Sequence, residues 1–164
     1  MRCAALPREG LAEEFPRDGT LLFFSFDGQA DGEVFVSLDD PATRVGARVL
    51  YIPEHTPVLP AEPPPVLEAC PLVEPLVGHQ IGGHAVPVQG PVEYEIANAT
   101  HGGAHAWGDE PLDREAERWV LLAQFAGDAD AKATWGDEVV LYWLIRPEDL
   151  AAHRFDQARL IVQG

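Results

Sequence analysis

Eight of the chain's fifteen prolines fall between Pro53 and Pro75, and this crowding constrains the fold more than any other feature of the sequence. Proline lacks a backbone N–H and its ring collides with the preceding turn, which bars it from helix interiors and from central strands. Neither a helix interior nor a central sheet ladder can run through the segment, which must be irregular or lie at an edge. It nevertheless carries Val58, Leu59, Val66, Leu67, Leu72 and Val73, so it reads as an extended strap lying across a core and not as a free linker. The implied organisation is one domain of 164 residues, with a first half at about 1–53, the strap at about 53–76 and a second half at about 77–164. A chain of this length buries roughly 70% of the surface its unfolded form exposes, enough for a real core.

On either side of the strap, short apolar runs bounded by turn-forming residues mark strands. In the first half these are "TLLFFSFD" from Thr20, the alternating "GEVFVSL" from Gly32 and "ARVLYIP" from Ala47, with a hairpin expected across Asp27 to Gly32. The second half offers "WVLLAQF" from Trp119, "VVLYWLI" from Val139 and "ARLIVQ" from Ala158. One short helix is expected in "RPEDLAAHRF", where Pro147 suits a first helical position and Glu148 and Asp149 complement the positive end of the helix dipole. His153 then falls near the opposite end, where a cation is favoured, so its expected role is local electrostatics. The fold class is β-rich, mainly β or α+β: an antiparallel β domain with few short helices.

The two halves also resemble each other. "CAALPREGLAEEFPRDGTLLFFSF" from Cys3 lies without a gap over "LAQFAGDADAKATWGDEVVLYWLI" from Leu122, placing Leu22, Phe23 and Phe24 on Leu141, Tyr142 and Trp143. Downstream, "ARVLYI" answers "ARLIVQ" after a connection of different length. The expectation is an internal duplication in which each half is too small to bury both faces of its own sheet, and two together close one core.

Composition narrows the function. Hydrophobic residues at 46% and charged residues at 23% are those of a globular chain, but the formal charge is −16. Phosphate contacts supply most non-specific nucleic-acid affinity, so this balance argues against DNA or RNA, and equally against an anionic membrane. It fits a face that docks a basic partner, or simple solubility. Cys3 and Cys70 form neither a CxxC pair nor a disulfide framework and are expected as buried, reduced thiols. No apolar run resembles a signal sequence or a membrane span, and a cytoplasmic location is expected.

Candidate site residues gather in "HQIGGHAVPVQG", His79 to Gly90. Gly82 and Gly83 adopt positive φ at little cost, as a tight turn or a close backbone approach requires. His79, Gln80 and Gln89 either satisfy irregular backbone that no ladder reaches, or line the mouth of a groove that takes a ligand or peptide. Trp135 and Asp137 in "TWGD" complete the set; Asp18 of "PRDG" matches Asp137, and an aspartate that turns the chain by bonding its own backbone explains both. Trp135 then reads as a filler between sheets before it reads as a stacking platform. His101 and His105 have an H-x3-H spacing suited to a metal on a helix, but the glycines between them argue against a helix, and no metal or other cofactor is expected.

The chain has no GxSxG, HExxH or P-loop, and its adjacent carboxylates carry little information in so acidic a sequence. Two classes of function remain beside a purely structural subunit, which would form a stable oligomer and bind no ligand. One is a non-enzymatic intracellular binding module, adaptor-like or immunity-like, whose His79 to Gln89 region recognises a protein or a small molecule. The other is a hydrolase or metal-assisted enzyme using His79, or His101 and His105, with a carboxylate.

"HQIGGH" followed by "VQG", then "WVLLAQF", "TWGD", "LYWLI", "EDL" and "FDQARLIVQ", resemble the signature blocks of the YwqG-like family, and "PRDGTLLFFSFD" and "RVLYI" resemble its first half. The resemblance implies a duplicated β-rich domain with few helices and brings no established biochemical activity. Two departures stand out: family members carry more sequence ahead of the first strand, and "NATHGGAHAWGDEPLDRE" looks particular to this chain.

Overall fold

The computed structural model describes residues 1–26, 36–38, 40–57, 59, 78–103, 108–127 and 139–164. Most of the proline-rich strap, the expected Asp27 to Gly32 hairpin with most of "GEVFVSL", and Cys70 lie outside these residues. Two antiparallel sheets form the body. The smaller pairs β1 (Thr20–Ser25) with β2 (Ala47–Ile52), and the larger has the order β3 (Gln80–Ile81), β4 (Val120–Ala126), β5 (Val140–Ile145), β6 (Arg159–Gln163). The chain is therefore β-rich with a few short helices, as its apolar runs imply.

Every residue of β5 is buried, which makes it the centre of the molecule. Side chains alternate across a strand, so a strand covered on both faces must be apolar throughout. Leu141, Trp143 and Ile145 join Leu122, Ala123 and Leu160 against Leu21 and Val49 of the smaller sheet, with Cys3, Phe15 and Phe155 closing the same cluster. Phe23 of β1 sits 5.8 Å from Trp143 and 5.1 Å, edge-on, from Phe125 of β4. Burial raises the pKa of the Cys3 thiol, so it stays protonated and inert. On the opposite face, Val140, Tyr142 and Leu144 pack with Leu121 and Ile161 beneath helix α1 (Val92–Thr100).

Two helices depart from the expectation of one. In α1, Val92, Ile96 and Ala97 fall on one side and are buried, and the glycines expected to bar a helix from His101 onward end it after Thr100. Gly102 and Gly103 adopt φ of +65° and +72°, and the Gly103 N–H reaches back 2.9 Å to the Asn98 carbonyl. The second, α2 (Glu110–Ala116), starts with Pro111 in its first turn and buries Leu112 and Ala116 against Ala97. The expected helix α3 (Pro147–Ala151) is present and short. His153 follows it at φ +54°, edge-on to the Tyr51 ring at 5.0 Å and stacked on Phe155, so it serves a turn and an aromatic cluster.

The gapless alignment of the halves slips by one residue. It places Leu22 on Leu141 and Leu50 on Ile161, yet Leu22 faces Leu50 while Leu141 faces Val162. Moving β1 by one residue restores the register: Leu22↔Leu50, Phe23↔Val49 and Phe24↔Arg48 then lie over Tyr142↔Ile161, Trp143↔Leu160 and Leu144↔Arg159. Inward-facing Leu21 and Phe23 thereby meet inward-facing Leu141 and Trp143. In each pair a 3-10 turn, Pro41–Gly46 or Phe155–Gln157, leads into the closing strand. The halves differ at their starts, where Cys3–Ala5 is a 3-10 turn and only an Arg2–Thr20 bridge stands where the other sheet has β4. Asp18 also differs from expectation, since its carboxylate accepts the Tyr51 hydroxyl at 2.9 Å from the end of β2.

Among the described residues Trp143 is the largest fully buried side chain. Replacing it with alanine is expected to lower unfolding free energy by about 3–5 kcal/mol, read from the denaturant midpoint at an unchanged m-value.

Candidate functional site

After Gly82, whose N–H donates a last backbone bond to the Leu122 carbonyl of β4 at 3.1 Å, residues 83–90 cross the α1 face of the large sheet without joining its ladder, so their backbone groups need other partners. Three buried polar side chains, one from each of β4, β5 and β6, supply them. The Val86 N–H donates to Gln124 Oε1 at 2.9 Å, and the Tyr142 hydroxyl donates to the Val86 carbonyl at 3.0 Å. Gln163 Oε1 accepts the N–H groups of both Val88 and Gln89, at 3.0 and 3.1 Å, while its Nε2 donates 2.7 Å to the Gly90 carbonyl and also to Glu95 of α1. Gln124 Nε2 completes the set on the Gly78 carbonyl at 3.0 Å. Gln124 and Gln163 are 3% and 1% exposed, positions where a polar side chain is tolerated only if fully bonded.

The sequence-predicted residues divide by role. Gln80 Nε2 donates to the carbonyls of Gly82 and His84, both at 2.7 Å, and Gln89 Nε2 donates to the Gly164 carbonyl at 2.7 Å, so both glutamines satisfy backbone. Gly82 adopts φ +65°, and a β-carbon there would stand 2.8 Å from the Leu11 side chain. At Gly83, φ +70°, it would stand 2.9 Å from Gln80 Nε2. The left-handed φ at both positions favours glycine, and the close neighbours are the ends of the Leu11 and Gln80 side chains. His79 lies tilted against Phe125 at 6.1 Å; its two ring nitrogens are buried and have no hydrogen-bond partner among the described residues. His101 caps the C-terminus of α1, far in role from a ligand pair, and His105, Trp135 and Asp137 lie outside the described residues. Among the described residues no group of three histidine, cysteine or acidic side chains is placed to hold a metal ion.

Gln124, Tyr142 and Gln163 are the residues that sequence reasoning missed. Their signal is a lone glutamine inside an apolar strand run, in "WVLLAQF" and again in "ARLIVQ". A second buried polar group ties α2 to the end of β5. Glu115, 7% exposed, accepts Trp119 Nε1 and Arg118 and pairs with Arg146, whose guanidinium lies 4.8 Å above the Trp119 ring.

What remains outward on residues 82–90 is a row of side chains on a fixed backbone: Val86 and Val88, 65% and 49% exposed, with exposed His84, Pro87 and Gln89. No helix among the described residues is long and apolar enough to cross a membrane.

Glu95 provides a pH test of this construction. Burial raises its carboxyl pKa above the ordinary 4.5, with the Gln163 bond opposing more weakly. A raised folded-state pKa means that the folded form holds the proton more tightly, so its stabilising effect is complete below the unfolded value and is lost as pH rises through the folded value. Glu95→Gln keeps an acceptor for Gln163 and removes the charge. It is expected to be more stable than the parent at pH 7, with the difference vanishing below about pH 4, measured by urea unfolding across pH. Gln163→Leu, which strands two N–H donors and a carbonyl, is expected to cost about 2–4 kcal/mol in the same assay.

Comparison with curated proteins returns no match. A family model described as a domain of unknown function, DUF1963, matches residues 67–164. That span takes in the crossing segment, all four strands of the large sheet and the three helices. Covering more than half of the chain, the match establishes that the protein belongs to the DUF1963 family.

Proposed function

We propose that the protein is a non-enzymatic binding module of the cell interior, one domain built from two related halves and belonging to the YwqG-like branch of its family. The observation that carries this reading is the crossing segment. Its backbone is held from beneath by Gln124, Tyr142 and Gln163, while Val86 and Val88 face solvent. Ordering a loop on binding costs conformational entropy, and a segment already fixed avoids that cost. Exposed valines on a rigid backbone suit a protein partner, and the −16 charge favours the approach of a basic one.

Gln80 and Gln89 are poor probes of this surface, because their substitution disturbs the backbone they bond. Val86→Glu with Val88→Glu changes only what faces outward. In native mass spectrometry of protein drawn gently from its own cells, the parent is expected to carry a protein adduct, and the double variant to lose it at an unchanged melting temperature. An adduct that survives in the double variant removes the crossing segment as the recognition surface.

A second reading, a hydrolase or metal-assisted enzyme, has one observation in its favour: the buried and, among the described residues, unpartnered ring nitrogens of His79. Elemental analysis decides it, since a substoichiometric content of every transition metal in the purified protein removes the metal-assisted form.

A further inference from the structure

β2 and β6 are edge strands of different sheets, and where they approach each other they bound a cavity of about 250 Å³. Arg44, Arg48 and Arg159 all line it, with Asp156 as the one carboxylate among the described lining residues and Leu38, Val45 and Leu160 as apolar wall. The chain has 27 acidic residues and 11 basic ones. Arg114, Arg118, Arg146 and Arg154 pair with carboxylates, whereas Arg44, Arg48 and Arg159, like Arg2, Arg8 and Arg17, form no ion pair among the described residues; the first three of these share one cavity. Arg159 is held in part by its own neighbourhood, the carbonyls of Gln157 and Ala158 at 3.3 and 3.4 Å. Its guanidinium is partly desolvated and meets the like charge of Arg44, both of which lower its pKa.

The arrangement has a further regularity. Once the register is corrected by one residue, Phe24↔Arg48 of the small sheet lies over Leu144↔Arg159 of the large one, and Ala47 over Ala158. All four of Ala47, Arg48, Ala158 and Arg159 line the cavity. Equivalent positions on two closing strands therefore place an arginine each at one cavity. This equivalence is one of strand register and does not depend on the recognition surface proposed above.

We propose that the cavity between β2 and β6 is a binding site for a small phosphomonoester, its phosphate held by Arg44, Arg48 and Arg159 and its organic part against Leu38, Val45 and Leu160. Among the described lining residues, three guanidinium groups stand against one carboxylate, an excess of positive charge that suits the charge of nearly −2 a phosphomonoester carries at neutral pH. Guanidinium groups bond phosphate oxygens in pairs, and adjacent arginines that repel each other when empty are relieved by a dianion between them. The cavity is too small for a large ligand. A polyanion is excluded on charge, since its length would lie along a strongly acidic surface, whereas a small dianion feels only charges within a Debye length of about 8 Å.

Isothermal titration calorimetry of the full chain with phenyl phosphate, inorganic phosphate and benzoate tests the site. Phenyl phosphate is expected to bind saturably at one equivalent, more tightly than inorganic phosphate and at least tenfold more tightly than benzoate. Arg48→Met and Arg44→Met are each expected to weaken phenyl phosphate tenfold or more, and Arg114→Met to leave it unchanged. Without ligand, Arg48→Met is expected to hold or raise the melting temperature, whereas an arginine serving only the fold would lower it. No saturable binding of either phosphate at millimolar concentration, binding indifferent to Arg44 and Arg48, or a preference for benzoate would each overturn the proposal.

Discussion

The fold depends on a fully buried strand being covered on both sides. β5 has no face to give to water, so the smaller sheet must lie on one side of it, and α1 with the crossing segment on the other. An apolar cover is straightforward on the first side, where Leu21, Phe23 and Val49 meet Leu141, Trp143 and Leu160. On the second side part of the cover is irregular backbone, which brings N–H and C=O groups that no ladder satisfies. The sheet answers with Gln124, Tyr142 and Gln163, placed so that each bonds main chain passing above it. These three side chains let a coil segment behave as a layer of the core.

That construction separates the two jobs of the crossing segment. Its backbone belongs to the interior, where an unbonded donor or acceptor costs about 1–3 kcal/mol. Its side chains at positions 84 and 86–89 belong to the surface. The arginine-lined cavity lies elsewhere, at the meeting of β2 and β6, and has only its β6 side within the matched family segment. The molecule thus offers a rigid apolar ridge and a cationic recess in an otherwise acidic chain, two surfaces of opposite character.

Much of the strand content was legible from apolar runs bounded by turn residues, because β1, β2, β4, β5 and β6 each coincide with such a run. The helices α1 and α2 were not, because "VEYEIANAT" and "EPLDREA" bury only a narrow stripe and are charged elsewhere. The glycine pair at 102–103 looked like a loop and is a helix stop. The likeness between the two strand pairs was visible as residue similarity but not as register: one residue of slip exchanges the inward and outward sets of a strand, and residue similarity alone is blind to that exchange. Of the candidate site, Gly82 and Gly83 were readable by their conformational freedom, and the glutamines by their need for backbone partners.

The sequence by itself determined that the chain is β-rich, acidic and interrupted by proline, since periodicity, charge and the missing N–H of proline act locally and need no partner. Tertiary structure alone decided which side of each strand faces the core, which glutamines hold a segment far along the chain, and that Arg44, Arg48 and Arg159 share one cavity. Gln163 and Val88 are 75 residues apart, and Arg48 and Arg159 lie on different sheets. Such contacts arise only when two sheets close on each other, because no local preference of the backbone encodes a distance across the fold.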